Sequence, residues 1–204
     1  MRTRRHFLQK SLLTTAGLAC LPAIAGAADS GAAPGMDTLT AIRTRRSVRE
    51  YTEASVADKD IDILLRAAMA APSANNTQPW EFVVIKDRKK IQDGVAKTVF
   101  PALAKDAPLA ILACVNTTLE GLKDSGVLAL SASTQNILLA AHALGLGAVW
   151  TASYPREERM QKMRNYLGIP ENIIPMALVV IGYPKALPAP ADRFNPARVH
   201  QEKW

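Results

Sequence analysis

Residues 71–85 read APSANNTQPWEFVVI. The last four positions, Phe82, Val83, Val84 and Ile85 within EFVVIK (81–86), form a short β-branched run of the kind that makes a strand. The twelve residues that open the stretch hold two prolines, two consecutive asparagines, a glutamine, a serine and a tryptophan. A turn needs one or two such residues, so four polar ones together ask for another reason. Asn75, Asn76 and Gln78 bring amide donors and acceptors to one place, which suits a planar heterocycle with alternating carbonyls and ring nitrogens. Ser73 adds a hydroxyl, Pro72 and Pro79 stiffen the loop, and Trp80 anchors it from below.

Outward from this loop, helices and strands alternate. Upstream, residues 58–70 carry Ile61, Leu64, Leu65 and Ala68 at helical spacing and stop before Pro72. Before that, Asp37 caps a short helix with Leu39 and Ile42, which runs into RTRRSVREY (43–51). Downstream, DRKKIQDGVAKTV reads as an exposed helix interrupted at Gly94, PLAILACVN as a buried strand, and residues 124–147 as a long apolar helix stopped by Gly145 and Gly147. AVWTA is a further strand, Pro155 opens a polar helix through Tyr166, and MALVVIGYP is the last strand. From residue 184 onward the chain is proline-rich and has no core of its own, so it is expected to lie on something, a partner subunit being one candidate.

The first 27 residues are set apart from this fold. A basic start, the apolar and acid-free run SLLTTAGLACLPAIAGA and a small-residue exit at Ala25-Gly26-Ala27 are the parts of a secretory signal. Paired Arg4 and Arg5 followed by Phe7 and Leu8 resemble a twin-arginine export address. Cleavage is expected after Ala27, with residues 28–36 as a linker and the fold over 37–204, so the mature protein is expected outside the cytoplasm, in the periplasm or beyond. The signal holds Arg2, Arg4, Arg5 and Lys10 and no acid. Beyond it 21 basic residues face 18 acidic ones, a net charge of +3 rather than +7, which gives no argument for nucleic acid. Only Cys114 of the two cysteines lies beyond the signal, so an intrachain disulfide is excluded there and stability has to come from packing, a cofactor or a partner.

Side chains for independent acid–base, nucleophilic or metal chemistry are scarce. His6 lies in the signal, while His142 and His200 stand without a Cys or carboxylate at ligand spacing; His142, among alanines and leucines, reads as a satisfied core histidine. Cys114 sits in an apolar strand and reads as a small buried residue. No serine lies in a G-x-S-x-G turn, and no glycine-rich dinucleotide fingerprint or Walker loop is present. Arg43, Arg45, Arg46 and Arg49 around Ser47 form either a side-chain phosphate pocket, since guanidinium forks match phosphate oxygens, or a solvated basic turn.

RRSVREY (45–51), APSANNTQPWEFVVI (71–85), AAHALGLGAVW (140–150) and the ending VHQEKW (199–204), in this order and spacing, resemble the FMN-dependent nitroreductase family. The resemblance runs from about residue 38 to the C-terminus. It implies an α+β fold, a sheet flanked by helices, and an intertwined homodimer with FMN at the subunit interface. It implies that Arg45, Arg46, Ser47 and Arg49 hold the FMN phosphate and ribityl chain, with Arg193 as a C-terminal phosphate ligand. By the same resemblance Asn76 meets the polar edge of flavin and ribityl. Pro72, Ser73 and Ala74 approach the isoalloxazine from the other subunit, and the backbone of Thr151, Ala152 and Ser153 lies by the reactive edge of the ring. Two positions depart from the family's habit: Ala191, where a second basic residue often stands, and Ala152, where an acid often stands. The activity implied is reduction of small electrophilic acceptors, nitroaromatics or quinones, by a ping-pong use of NADH or NADPH through the flavin. Reductive dehalogenation, ene reduction and electron carriage to a periplasmic partner are the alternatives on the same fold.

Overall fold

The computed structural model describes residues 36–97, 99–119 and 124–204, all within one unit, Pro34–Trp204. The segment read as a twin-arginine signal, its expected cleavage after Ala27 and the expected linker up to residue 35 lie outside the described residues.

Four strands make one antiparallel sheet in the order β1-β2-β4-β3: β1 (Trp80–Ile85), β2 (Leu109–Asn116), β3 (Gly147–Ala152) and β4 (Ile173–Gly182). The two central strands are almost wholly buried, which is why LAILACV and MALVVIG are unbroken apolar runs without alternation. Helices cover both faces. On one side α2 (Asp58–Met69) and α4 (Ser125–Ala143) pack Ile61, Leu64, Ala68, Ile137, Leu138 and Ala141 against Leu109, Ile111, Val179 and Ile181. On the other, α3 (Arg88–Ala96) and α5 (Glu157–Leu167) bring Ile91 and Met163 onto Ala110, Leu112, Leu178 and Val180. The α+β sheet flanked by helices is therefore as read from the sequence.

Local details differ from the sequence reading at three places. Gly94 does not interrupt α3; it is buried inside it, and a Cβ there would lie 2.4 Å from Phe100 Cδ2, so the bare backbone is what lets the ring close on the helix. Pro155 does not begin α5: it follows a cis peptide bond, and the helix starts at Glu157 after Arg156. Strand β4 starts at Ile173, earlier than the apolar run, and Pro175 is accommodated where the β2–β4 register shifts between Ala113 and Cys114.

The first helix, α1 (Thr38–Thr44), has the predicted Asp37 cap, whose Oδ1 accepts from Thr40 N at 3.1 Å. Of its seven residues only Ala41 is buried, and Leu39 and Ile42 face outward. After it the chain lies along the sheet edge. Ser47 makes a parallel bridge with Ala148 of β3, Val48 N donates to Ala148 O at 3.1 Å, and Tyr51 bridges to Pro184. Every residue from Lys185 to Trp204 is exposed, including Phe194 at 76% and Trp204 at 98%.

Candidate functional site

The arginine-rich turn is held at both ends. At the α1 end Arg45 N donates to Ala41 O, closing the helix, and at the β3 end Val48 is fixed on Ala148. Between these points Arg45, Arg46, Thr44, Arg43 and Ile42 line a cavity of about 650 Å³ whose other wall is Pro190–Arg193. Arg46 braces this wall: its guanidinium donates to the carbonyls of Arg43 (3.0 Å), Arg45 (2.6 Å) and Ala191 (2.8 Å). Ala191, with no polar side chain of its own, thus contributes its backbone oxygen to hold Arg46. Arg45 has no such partner. Burial, followed by the charges of Arg46 and Arg193, lowers its pKa from the ordinary guanidinium value, and its buried Nε is unsatisfied, as is that of Arg46. Among the described residues no carboxylate pairs with Arg43, Arg45, Arg46 or Arg193. A concave set of like charges with unmet donors fits an anion of fork-compatible geometry, a phosphate. Ser47 and Arg49 line a second hollow of about 260 Å³ between the same chain segments, with Glu50, Ala186 and Pro188.

Strand β3 leads away from this basin. Ser47 lies beside Ala148, and Ala152 is four residues further along the strand, about 13 Å. At that end Thr151 Oγ1 donates to Leu178 O at 2.8 Å, and exposed Ala152 has its carbonyl occupied by Arg159 at 3.0 Å. Ser153 is turned inward and fully buried. Its hydroxyl contacts Met163 Sδ at 3.1 Å, its N–H donates to Met176 O at 2.8 Å, and its carbonyl accepts from Arg156 N at 2.8 Å. It shapes the turn, with its hydroxyl, N–H and carbonyl all engaged within the chain.

The 72–78 loop is built around its own polar side chains. Ser73 Oγ accepts from Gln78 N at 3.0 Å, and Gln78 Nε2 donates to Asn76 Oδ1 at 3.1 Å. Asn75, Asn76 and Gln78 all have positive φ, 52°, 57° and 49°, a region asparagine tolerates better than most residues. The amides therefore serve the loop's conformation as well as any ligand, while Asn76 Nδ2 has no partner among the described residues. Trp80 is buried under the loop with Ala71, as expected. Pro72, Ser73 and Ala74 line a hollow of about 260 Å³ with Ser125, Leu128, Ala129 and Ala132 at the start of α4.

The arginine basin and this loop do not meet within one chain. Thr44, at the basin, touches His142 in the last turn of α4, whereas the 72–74 hollow lies against Leu128 in its first turns. Fourteen residues of helix separate them, about 21 Å. The two sets stand toward opposite ends of α4, and a second copy of the chain supplying one of them would bring both to a single ligand.

Thr44 and His142 were not recognisable as site residues from sequence, because nothing local signals a contact across 98 positions; Thr44 Oγ1 and His142 Nε2 are 2.8 Å apart. The sequence reading of Cys114 stands: it is buried, and burial pushes its thiol up to about 12, so it is no nucleophile. Among the described residues no group of three His, Cys, Asp or Glu side chains converges as a metal would need.

Comparison with known proteins agrees with this geometry. The sequence pattern of the Nitroreductase family is matched by residues 42–130 and 103–183. A protein of Methanothermobacter thermautotrophicus, provisionally named an NADH dehydrogenase/NAD(P)H nitroreductase, is 45% identical over 169 residues, covering 83% of this chain and 88% of its own. An FMN-dependent nitroreductase of Clostridium difficile superposes with a TM-score of 0.74 at 26% identity over 81% of this chain and 99% of its own. A provisionally named nitroreductase of Desulfovibrio desulfuricans, solved in complex with FMN, does so at 0.69 and 30% identity, covering 82% and 97%. With its helix-flanked antiparallel sheet and with matches over most of its length, the chain belongs to the nitroreductase family.

Proposed function

We propose that this chain, an FMN-dependent oxidoreductase, works as a homodimer that reduces small electrophilic acceptors such as nitroaromatics or quinones, with NADH or NADPH as donor. The observation that carries the cofactor assignment is the basin of arginines without carboxylate partners, including the orphaned Nε of Arg45. Arg45 and Arg193 would hold the phosphate, with Arg46 as the strut that keeps both walls together. Bound FMN supplies the hydride chemistry, taking from the donor and giving to the acceptor in a ping-pong cycle. The protein's own part is to bind, orient and exclude, which accounts for the lack of a paired acid and base. The homodimer is supported by the separation of the basin and the 72–74 loop toward opposite ends of α4.

The test is the ultraviolet–visible spectrum and mass of the cofactor released from the purified protein, followed by anaerobic titration with NADH and NADPH. FMN in near one-to-one amount with subunits, bleached by either nicotinamide and reoxidised by a nitroarene or quinone, is the expected result. A protein without flavin would overturn the cofactor assignment. Flavin bleached only by a reduced protein donor would instead favour an electron carrier.

Export before action is the second part of the proposal, supported by Arg4-Arg5 with Phe7-Leu8. Changing both arginines to Lys should leave the precursor in the cytoplasm with its flavin intact. Efficient arrival of the double variant in the periplasm would refute the address.

A further inference from the structure

We infer that His142 is a positioning residue for the phosphate end of the site: by holding Thr44 it fixes the end of α1 and with it the direction in which Arg45 and Arg46 are presented. The inference rests on the reading of the arginine basin as a phosphate site.

The contact has a definite sense. Thr44 Oγ1 lies 2.6 Å from Thr40 O and has one proton, which goes to that carbonyl. Toward His142 the same oxygen is then the acceptor, so the imidazole carries its proton on Nε2 and donates across 2.8 Å. This bond joins the last residue of α1 to the last turn of α4.

The anchoring matters because α1 has little else. Two turns of helix are marginal in isolation, and this one buries only Ala41. Arg45 follows Thr44 directly and leaves the helix at φ −55°, ψ 131°. Arg45 therefore lies between the His142–Thr44 bond on one side and, on the other, Arg46 braced on Ala191 and the Ser47–Val48 segment held on Ala148. Binding groups work when their supports hold them to within about 0.5 Å, so loosening the Thr44 support is felt at the guanidinium groups.

Positioning rather than charge is the role the surroundings allow. His142 is half-buried beside Arg45 and Arg46, and burial and both cations keep its pKa below the usual imidazole value. A neutral donor braces the turn without adding to the repulsion among the arginines.

A core histidine with no part in the site would lower stability and leave flavin selectivity alone, and this separates the two roles. Dissociation constants for FMN and riboflavin are measured on flavin-stripped, refilled protein for wild type, His142→Ala, His142→Gln, Thr44→Val and Arg45→Ala. Loss of one bracing hydrogen bond is expected to weaken FMN roughly tenfold in His142→Ala and in Thr44→Val, with riboflavin within about twofold. His142→Gln, whose amide reaches as far as Nε2, should recover most of the FMN affinity. If His142→Ala weakens both flavins alike, or neither, while Arg45→Ala still discriminates between them, the inference is wrong and the phosphate reading survives. If Arg45→Ala also fails to discriminate, the basin is not a phosphate site and both fall. Thr44→Val, close to isosteric, gives the same answer should His142→Ala fail to fold.

Discussion

At the residue scale, the division of labour between Arg45 and Asn76 is open to direct measurement. Arg45 has an unmet guanidinium donor in the basin, whereas Asn76, its Oδ1 taken by Gln78, presents its Nδ2 from a loop at the other end of α4. A charged hydrogen bond contributes about 1.5–3 kcal/mol, so Arg45→Ala should weaken FMN by about ten- to a hundredfold. Riboflavin, without a phosphate, should be affected far less. Asn76→Ala should weaken both flavins equally, since it addresses parts they share; equilibrium titration of the four combinations checks both expectations. His142 gives a pH dependence with a fixed sign. Its pKa is held down chiefly by burial, then by Arg45 and Arg46, so the folded protein takes up this proton less readily than the unfolded chain. Its contribution to stability is complete above the ordinary value of 6.5 and is lost as pH falls below it. Flavin-free wild type should therefore lose Tm between pH 7 and pH 5 more steeply than His142→Gln, as scanning calorimetry at several pH values would show.

At the element scale, the approach of the 47–49 segment to β3 depends on a missing side chain. A Cβ on Gly147 would lie 2.7 Å from Val48 Cβ, an atom too close to its backbone to swing away. Gly147→Ala must therefore push Val48 off the strand, and with it one of the supports of the arginine turn. We expect a loss of about 1–3 kcal/mol in stability and a fall in FMN affinity larger than that for riboflavin. Denaturant unfolding and flavin titration of the same variant test the two parts. The sequence marks Gly147 as a helix stop, but the stop is Gly145 alone, at φ 75°, and Gly147 is already the first residue of the strand. Composition distinguishes a glycine that turns from a glycine that makes room only when its neighbour in space is known. Gly94 is the same case, a helix breaker in propensity and a bed for Phe100 in fact.

At the scale of the whole molecule, the exposed C-terminal segment and the divided site are the features on which the proposed homodimer can be tested. Leu187, Phe194, Val199 and Trp204 face outward along a segment that adds nothing to this chain's core, while Leu39, Ile42 and Leu128 are exposed on α1 and α4. Scattered apolar residues on a surface are ordinary, but a whole segment without a core is costly unless covered. Removing residues 184–204 should abolish the dimer and the bound flavin. Because that deletion also removes Arg193, the control is Arg193→Ala, which should weaken FMN and leave the dimer. Light scattering of both variants reads the difference, and a stable dimer after deletion would refute the expectation that the C-terminal segment lies on a partner subunit.

The sequence alone determined the element pattern. Continuous apolar runs at 109–115 and 176–182 announce strands buried on both faces, and Asp37 announces its helix, while the crowding of arginines around Ser47 left a phosphate pocket and a solvated turn both open. These are local signals, written by burial and by hydrogen-bonding chemistry within a few residues. What the tertiary structure decided is which of those residues are free to act. Arg46 is tied to three carbonyls and Arg45 is not; Ser153 is buried and Ala152 is exposed; His142 belongs to the arginine turn and not merely to its own helix. Each of these depends on a partner that is distant in the chain, 145 positions for Arg46 with Ala191 and 98 for Thr44 with His142. A contact of that span is set by how the layers pack, and no local pattern of residues encodes it.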